Sequence, residues 1–416
     1  MALTEGVAAS IRYKFYASGT MAANAEPDTA AEPGGASGGK LLRRVSAGLN
    51  LKKDTTRSQG ILPSRQVRTF RHAARWVEGP IAGELSPGTY TDFFEAIHRD
   101  AAQAFAAKNE TDYTSVAASA SASTFTFGGG DPVADGLRVG DLFRFSGLSA
   151  AANNGRNFIV LRFSGANNRT VEVFPAPAEM ATPDTAFALA VPGKRSMVAG
   201  SGHVRRKLAV EIFREDIDRS RLFTECRAHG YKVTTSATGI VGVSFDFTGR
   251  NMHRLKDGAA PYFAAPDAIT DTDGCDAING IARVAGRTVG VVTGLNFGVA
   301  LSADAPKVQQ KFPPDVLLGT ANGTGELSLL LDDSDFGQVF DDETEFEVLS
   351  WLTSSTAPGA PSCVFYMPRC KATDAPETVQ GEGSQALSIP FQMQEYVGDA
   401  PGVPKTTIRL HDTEWS

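Results

Sequence analysis

Two tripeptides recur in the same order and at nearly the same spacing. Gly48-Leu49-Asn50 returns as Gly294-Leu295-Asn296, 246 residues on, and Gly83-Glu84-Leu85 returns as Gly325-Glu326-Leu327, 242 residues on. Phe93 and Phe94, behind the first Gly-Glu-Leu, have counterparts in Phe336 and Phe340. Each half then closes on a strand of strict alternation. In the first half, Val241, Val243, Phe245 and Phe247 interleave with Gly242, Ser244 and Asp246. In the second half, Leu387, Ile389, Phe391 and Met393 interleave with Ser388, Pro390, Gln392 and Gln394. Chance supplies one tripeptide easily, but the ordered set indicates a tandem duplication, so the chain should fold as two similar β units.

Composition agrees with short strands and many turns: 416 residues carry 42 Gly and 22 Pro but only 7 Met. A net charge of −7 argues against a protein built to grip a phosphate backbone. The amino terminus lacks a basic start followed by an apolar stretch, and no window approaches the roughly 18 apolar residues of a membrane span. A soluble protein made in the cytoplasm, without membrane contact, is expected. Cys226, Cys275, Cys363 and Cys370 are too few for a disulfide scaffold, so free thiols are expected. The seven-residue spacing of Cys363 and Cys370 would place them on opposite faces of one extended strand.

The pattern divides the chain as follows. Residues 1–110 form the first part of unit one, with a Gly/Pro-rich arm at 17–40. Residues 111–199 form an inserted small β-barrel, opened by a Ser/Ala linker at Ser115–Thr124 and marked by strands such as GDLFRFSG and NFIVLRFSG. Residues 200–262 complete unit one, with a strand at 206–213, a short helix after Ser220 and the closing strand. Residues 263–274 are a linker, 275–398 unit two and 399–416 a carboxy-terminal arm. Thr89 and Asp92 resemble a capping box, and Phe93, Phe94, Ile97, Ala101, Ala104 and Phe105 recur at helical spacing, so one flanking helix is expected over 91–107. The fold class expected is therefore mainly β: tandem β-sandwich or barrel domains with one helix, plus the inserted barrel. With its own strands and flexible borders, the insert reads as an outward decoration that assembly can do without.

Catalytic signatures are lacking. The six histidines are scattered, and there is no HExxH, nucleophile elbow, phosphate loop or CxxC. Asp271, Asp273 and Asp276 lack the glutamate that would complete a calcium loop, so a solvated linker is the better reading. Neither metal nor cofactor is expected. Carboxylates crowd 332–347, among them Asp332, Asp333 and Asp335, while Arg57, Arg65, Arg68 and Arg71 form a basic stretch. Both suit exposed faces, and opposite charges on neighbouring copies would set assembly register.

The segment RRVSAGLNLKKDTTRSQGILPSRQVRTFRHAARWVEGPIAGELSPGTYTDFFEAIHR resembles the amino-terminal half of the tail tube proteins of long-tailed bacteriophages and of phage-derived tails such as gene transfer agents. INGIARVAGRTVGVVTGLNFGVAL and EGSQALSIPFQMQ resemble later segments of that family. The resemblance implies a non-enzymatic virion protein whose sheets join into rings, with rings stacking into a hollow conduit for genomic DNA. It also implies tail terminator, tape measure and distal tail proteins as partners. Two units per chain would let three chains build a pseudo-sixfold ring. The alternative is a virion or cell-surface carbohydrate-binding β-sandwich. That reading would need exposed aromatics in the insert, where Phe143, Phe145, Phe158 and Phe163 instead fall at core positions.

Overall fold

A computed structural model describes residues 5–16, 38–57, 69–288, 292–330, 336–376 and 385–416. The first unit opens with β1 (Ala9–Phe15), β2 (Lys40–Leu42), β3 (Ser46–Ala47), β4 (Asn50–Arg57), β5 (Phe70–Glu84) and α1 (Thr91–His98). The insert contributes β6 (Lys108–Asn109), β7 (Ser115–Ser119), β8 (Thr124–Gly128), β9 (Leu142–Ser146), β10 (Phe158–Ser164), β11 (Thr170–Phe174) and β12 (Ala188–Ala190). Then follow β13 (Lys194–Met197), β14 (Leu208–Arg214), β15 (Arg219–Thr234), β16 (Gly242–Gly249) and β17 (Asn251–Lys256). The second unit holds β18 (Asp276–Val284), β19 (Arg287–Thr288), β20 (Val292–Asp304), β21 (Leu317–Leu330), α2 (Phe336–Asp341), β22 (Glu345–Thr353), β23 (Ser362–Ala372) and β24 (Ala386–Met393), and β25 (Arg409–Asp412) ends the chain.

Strand pairing shows the duplication directly. In unit one β1 pairs β14, β14 pairs β15, β15 pairs β16 and β17, β16 pairs β5, and β5 pairs β4. In unit two β18 pairs β22, β22 pairs β23, β23 pairs β24 and β25, β24 pairs β21, and β21 pairs β20. Each unit is thus a sandwich of two antiparallel sheets, with the long strand β15 or β23 passing from one sheet into the other. The alternating residues of the closing strands turn inward as expected: Phe245, Phe247, Ile389, Phe391 and Met393 are buried in one core shared by both units.

Several local expectations change. The helix over 91–107 stops at His98, because Arg99 adopts a left-handed conformation (φ 57°) and the Glu95 side chain takes the Ala102 N–H at 3.1 Å. The capping box does not form: the Thr89 hydroxyl pairs with Ser86 and Thr270, and Asp92 accepts from Tyr13 and Lys40. A second helix, α2, follows the second Gly-Glu-Leu, so the flanking helix is itself duplicated. The helix expected after Ser220 is instead the first part of β15, preceded by a single 3-10 turn, Glu215–Ile217. Ser115–Thr124 is not a linker but β7 and its turn into β8, with Val116 and Ala118 buried. The arm at 17–40 falls outside the described residues up to 37. Nor are 399–416 a free arm, since β25 is wholly buried between β13 and β23 and Trp415 is 6% exposed.

The insert is a seven-stranded sheet in the order β6-β12-β9-β10-β11-β8-β7, and a bridge from Val116 to Asp184 brings its ends together. Its borders are not flexible joints. Leu349, Val364 and Tyr366 of unit two belong to the insert's own apolar cluster, with Trp351 packed against it. These residues point away from the sandwich core, so the barrel covers the outer face of β22 and β23. On unit one the equivalent face, Ala209 and Leu222, is covered by Tyr16 and Phe263. There the buried carboxylate of Glu211 accepts the N–H groups of Tyr262 (2.6 Å) and Phe263 (3.0 Å) and the Ser220 hydroxyl, which satisfies its charge.

Candidate assembly faces

One sheet runs without interruption through both units. The second half of β15 pairs with β20, from Gly230 opposite Ala300 to Thr234 opposite Asn296. This pairing joins β4-β5-β16-β15 of unit one to β20-β21-β24 of unit two. Gly298 permits the close approach, since a Cβ there would lie 2.4 Å from the Tyr231 carbonyl oxygen. From inside, Phe94 of α1 meets Tyr231, Phe245 and Phe365 at 4.9, 5.1 and 5.7 Å, so one aromatic side chain spans the seam.

The seam is also held by opposite charges. The segment between β20 and β21 reaches back over unit one, where Asp315 pairs with Lys207 (3.0 Å) and Arg227 (3.1 Å) and Arg250 Nε donates to the Pro313 carbonyl at 2.6 Å. Lys207 and Arg227 are almost fully buried, and burial outweighs Asp315 in lowering the pKa of each, so Asp315 is the counter-charge that both cations depend on. Arg250 is buried as well and forms a second pair with Glu225 at 2.5 Å.

The outer face of the joined sheet is bare. Pairing places Ser244, Asp246, Lys232, Gly298, Thr324, Glu326 and Gln392 on it, small or polar residues with no large apolar side chain among them. Around the seam Glu78, Asp246 and Glu326 are exposed with the ammonium of Lys232, whereas at the β4 edge Lys52, opposite Trp76, and Lys307, over the Trp76 ring, bring positive charge. The opposite sheets of the two sandwiches are the ones covered by Phe263 and by the insert, so the molecule has one covered side and one bare, mildly acidic side.

The repeat landmarks take unequal places. Glu84 pairs opposite Gly242, at the start of β16, and Glu326 opposite Pro390, inside β24, so Gly83-Glu84-Leu85 and Gly325-Glu326-Leu327 both pair with the closing strands but at different depths. Asn50 lies opposite Glu78, whereas Asn296 lies opposite Glu326, the counterpart of Glu84. Gly48-Leu49-Asn50 therefore sits six positions (84 minus 78) out of register with Gly294-Leu295-Asn296. Of the charged residues singled out from sequence, Arg57 and Arg71 are exposed at the far end of the β4-β5 hairpin, and the structure does not bring them to the described acidic residues of 336–347. Arg65, Arg68, Asp332, Asp333 and Asp335 lie outside the described residues. Phe143, Phe145, Phe158 and Phe163 are buried in the insert, which removes the exposed aromatic platform that carbohydrate binding would use.

Sequence reasoning missed a buried charge cluster where the insert, β13 and β25 meet. Asp141 is fully buried and is held by Arg195 at 2.6 Å and by Arg409. Burial alone would raise its pKa, but the two guanidinium groups outweigh it and keep the carboxyl below its usual range. His411 accepts the Leu142 N–H at Nδ1 (2.9 Å) and so donates from Nε2 to the Pro192 carbonyl (2.8 Å); burial lowers its pKa to about 4. No spacing in the sequence announces this set, whose members come from three separate parts of the chain.

All four cysteines are unpaired and buried, as expected of free thiols. Among the described residues, no helix is long and apolar enough to cross a membrane. A search of curated proteins found no match to the chain. The profile of the phage tail tube protein family matches residues 6–394. That match spans both repeats and the insert, and the mainly β architecture with joined antiparallel sheets agrees with it. The chain belongs to the phage tail tube protein family.

Proposed function

We propose that this chain is the repeating subunit of a hollow tail tube, with three chains closing a ring of six pseudo-equivalent β units and rings stacking into a conduit for DNA. The observation that carries this reading is the β15–β20 seam, an internal copy of the contact that a ring needs between neighbours. By the same correspondence, the end of β23 in one chain extends onto the free outer edge near β3 of the next. The bare acidic face then lines the bore, where carboxylates and small polar side chains let a polyanion slide without being held. The insert lies on the opposite, outer side. Arg57 and Arg71, exposed at the outer ends of β4 and β5, would meet a neighbouring copy, and the basic stretch that includes Arg65 and Arg68 would add to that contact. Tail terminator, tape measure and distal tail proteins would meet the tube at its ends and within its bore, and the assembled protein would reside in the virion tail without enzymatic activity.

Purified protein, concentrated and viewed by negative-stain electron microscopy alongside sedimentation, should show rings or hollow tubes. A strictly monomeric species across concentration, salt and time would overturn the proposal.

A further inference from the structure

The correspondence between the two units also assigns a partner to a cleft that no contact so far explains. Strands β14, β15 and β17 converge near the turn Glu215–Ile217, and the residues that face one another there are Arg214 with Arg219, Arg219 with Lys256, and Arg221 with Arg254. Like charges directly opposite destabilise a ladder. Together with Ile217 they line an open cleft of about 590 Å³. Burial, then Arg214 and Arg254, lowers the pKa of Arg221. Among the described residues none of the ion pairs involves Arg214, Arg219, Arg221 or Arg254. Arg221 donates to the amide oxygen of Asn50 at 3.0 Å and lies over the Phe223 ring at 5.7 Å, and the nearby Asp216 accepts the Glu5 N–H. A cluster of this kind in a net-acidic chain is built to receive carboxylates.

Unit two shows what occupies the same place. Matching β17 to β25 sets the pair Arg221–Arg254 against Cys363–Asp412. There the turn that follows Gly83-Glu84-Leu85 of unit one docks: Cys275 N–H donates to the Leu85 carbonyl at 2.7 Å and Gly88 N–H donates to Asp412 at 2.8 Å. Shifted by the 242-residue offset, residues 85–89 become 327–331, and Asp332, Asp333 and Asp335 follow directly.

We propose that the acidic segment 332–335 of one chain docks into the Arg214–Arg219–Arg221–Arg254–Lys256 cleft of the next chain around the ring. The pairing rests on the tube reading above and replaces the partnership of these acids with Arg57–Arg71 that the sequence alone suggests. It places ion pairs between chains where the matching contact within a chain is made by the N–H groups of Cys275 and Gly88.

The test uses full-length protein in three charge variants: R219E/R254E, D332K/D333K and the combination of all four. Arg219 and Arg254 are exposed, so reversal should leave the fold intact by circular dichroism. Each double reversal is expected to cut the fraction of chains in rings or tubes at least about tenfold, and the combination to restore it. The milder R219Q/R254Q should raise the thermal midpoint of the monomer, by relieving repulsion, while weakening assembly. Wild-type tubes alongside unaffected reversals, or no recovery in a folded combination, would overturn this pairing alone. Loss of duplex oligonucleotide binding on R219E/R254E with assembly untouched would also overturn it, reassigning the cleft to a polyanion. A wild-type chain that never assembles would overturn the tube reading and this pairing with it.

Discussion

Asp412 and His411 sit side by side on the last strand and respond to pH in opposite directions. Burial raises Asp412 to about 7 despite the N–H groups of Gly88 and Glu414, while burial lowers His411 to about 4 and His98 to about 3. A raised carboxyl binds its proton more tightly when folded, so its stabilising effect is present below the unfolded value near 4 and fades as pH rises towards 7. The histidines act the other way: their effect is present above about 6.5 and lost on acidification. Asp412→Asn is therefore expected to remove one pH-dependent term, so that wild type is more stable relative to the variant at pH 5 than at pH 8. Thermal unfolding at the two pH values checks this, and a pH-independent difference would contradict it. Asp141→Asn leaves Arg195 and Arg409 buried without a counter-charge and should cost about 3–5 kcal/mol in denaturant unfolding. None of this was legible beforehand. Asp141 stands 54 residues before Arg195 and 268 before Arg409, and only the folded topology brings charges so distant in sequence together.

At the scale of elements, what the sequence disclosed was whatever depends on local period. The closing strands β16 and β24 follow from strict alternation, and the start of α1 from Phe93, Phe94 and Ile97. The end of α1 was hidden because it depends on the reach of Glu95 to Ala102, a side-chain contact that periodicity does not encode. The insert's strands were equally visible, but the place where they dock was not. That place is set by Leu349, Trp351, Val364 and Tyr366, which read as ordinary core alternation until the barrel is seen covering them. Replacing 111–199 with a short Gly/Ser connector is thus expected to yield insoluble or dye-binding protein, because those four side chains would form an exposed apolar patch. A soluble, cooperatively folding deletion would show that the barrel is a separable decoration.

At the scale of the whole molecule, the duplicated pattern of strands and the resemblance to tail tube proteins were both carried by the sequence, through the same segments. The continuity of the sheet was not, because the pairing of Gly230–Thr234 with Asn296–Ala300 joins two units that each look complete on their own. In the proposed ring, that continuity would give the two units a purpose: one of every two contacts between units would lie within a chain, which would halve the number of contacts that association must form. It also orients the molecule, with one bare acidic sheet and one covered side. The central claim is that three chains present this joined sheet to a central bore. A cryo-electron microscopy reconstruction of assembled tubes tests it most directly. The account predicts three chains per ring, with Asp246 and Glu326 facing the bore and the insert outside; six chains per ring, or a bore lined by the insert, would contradict it.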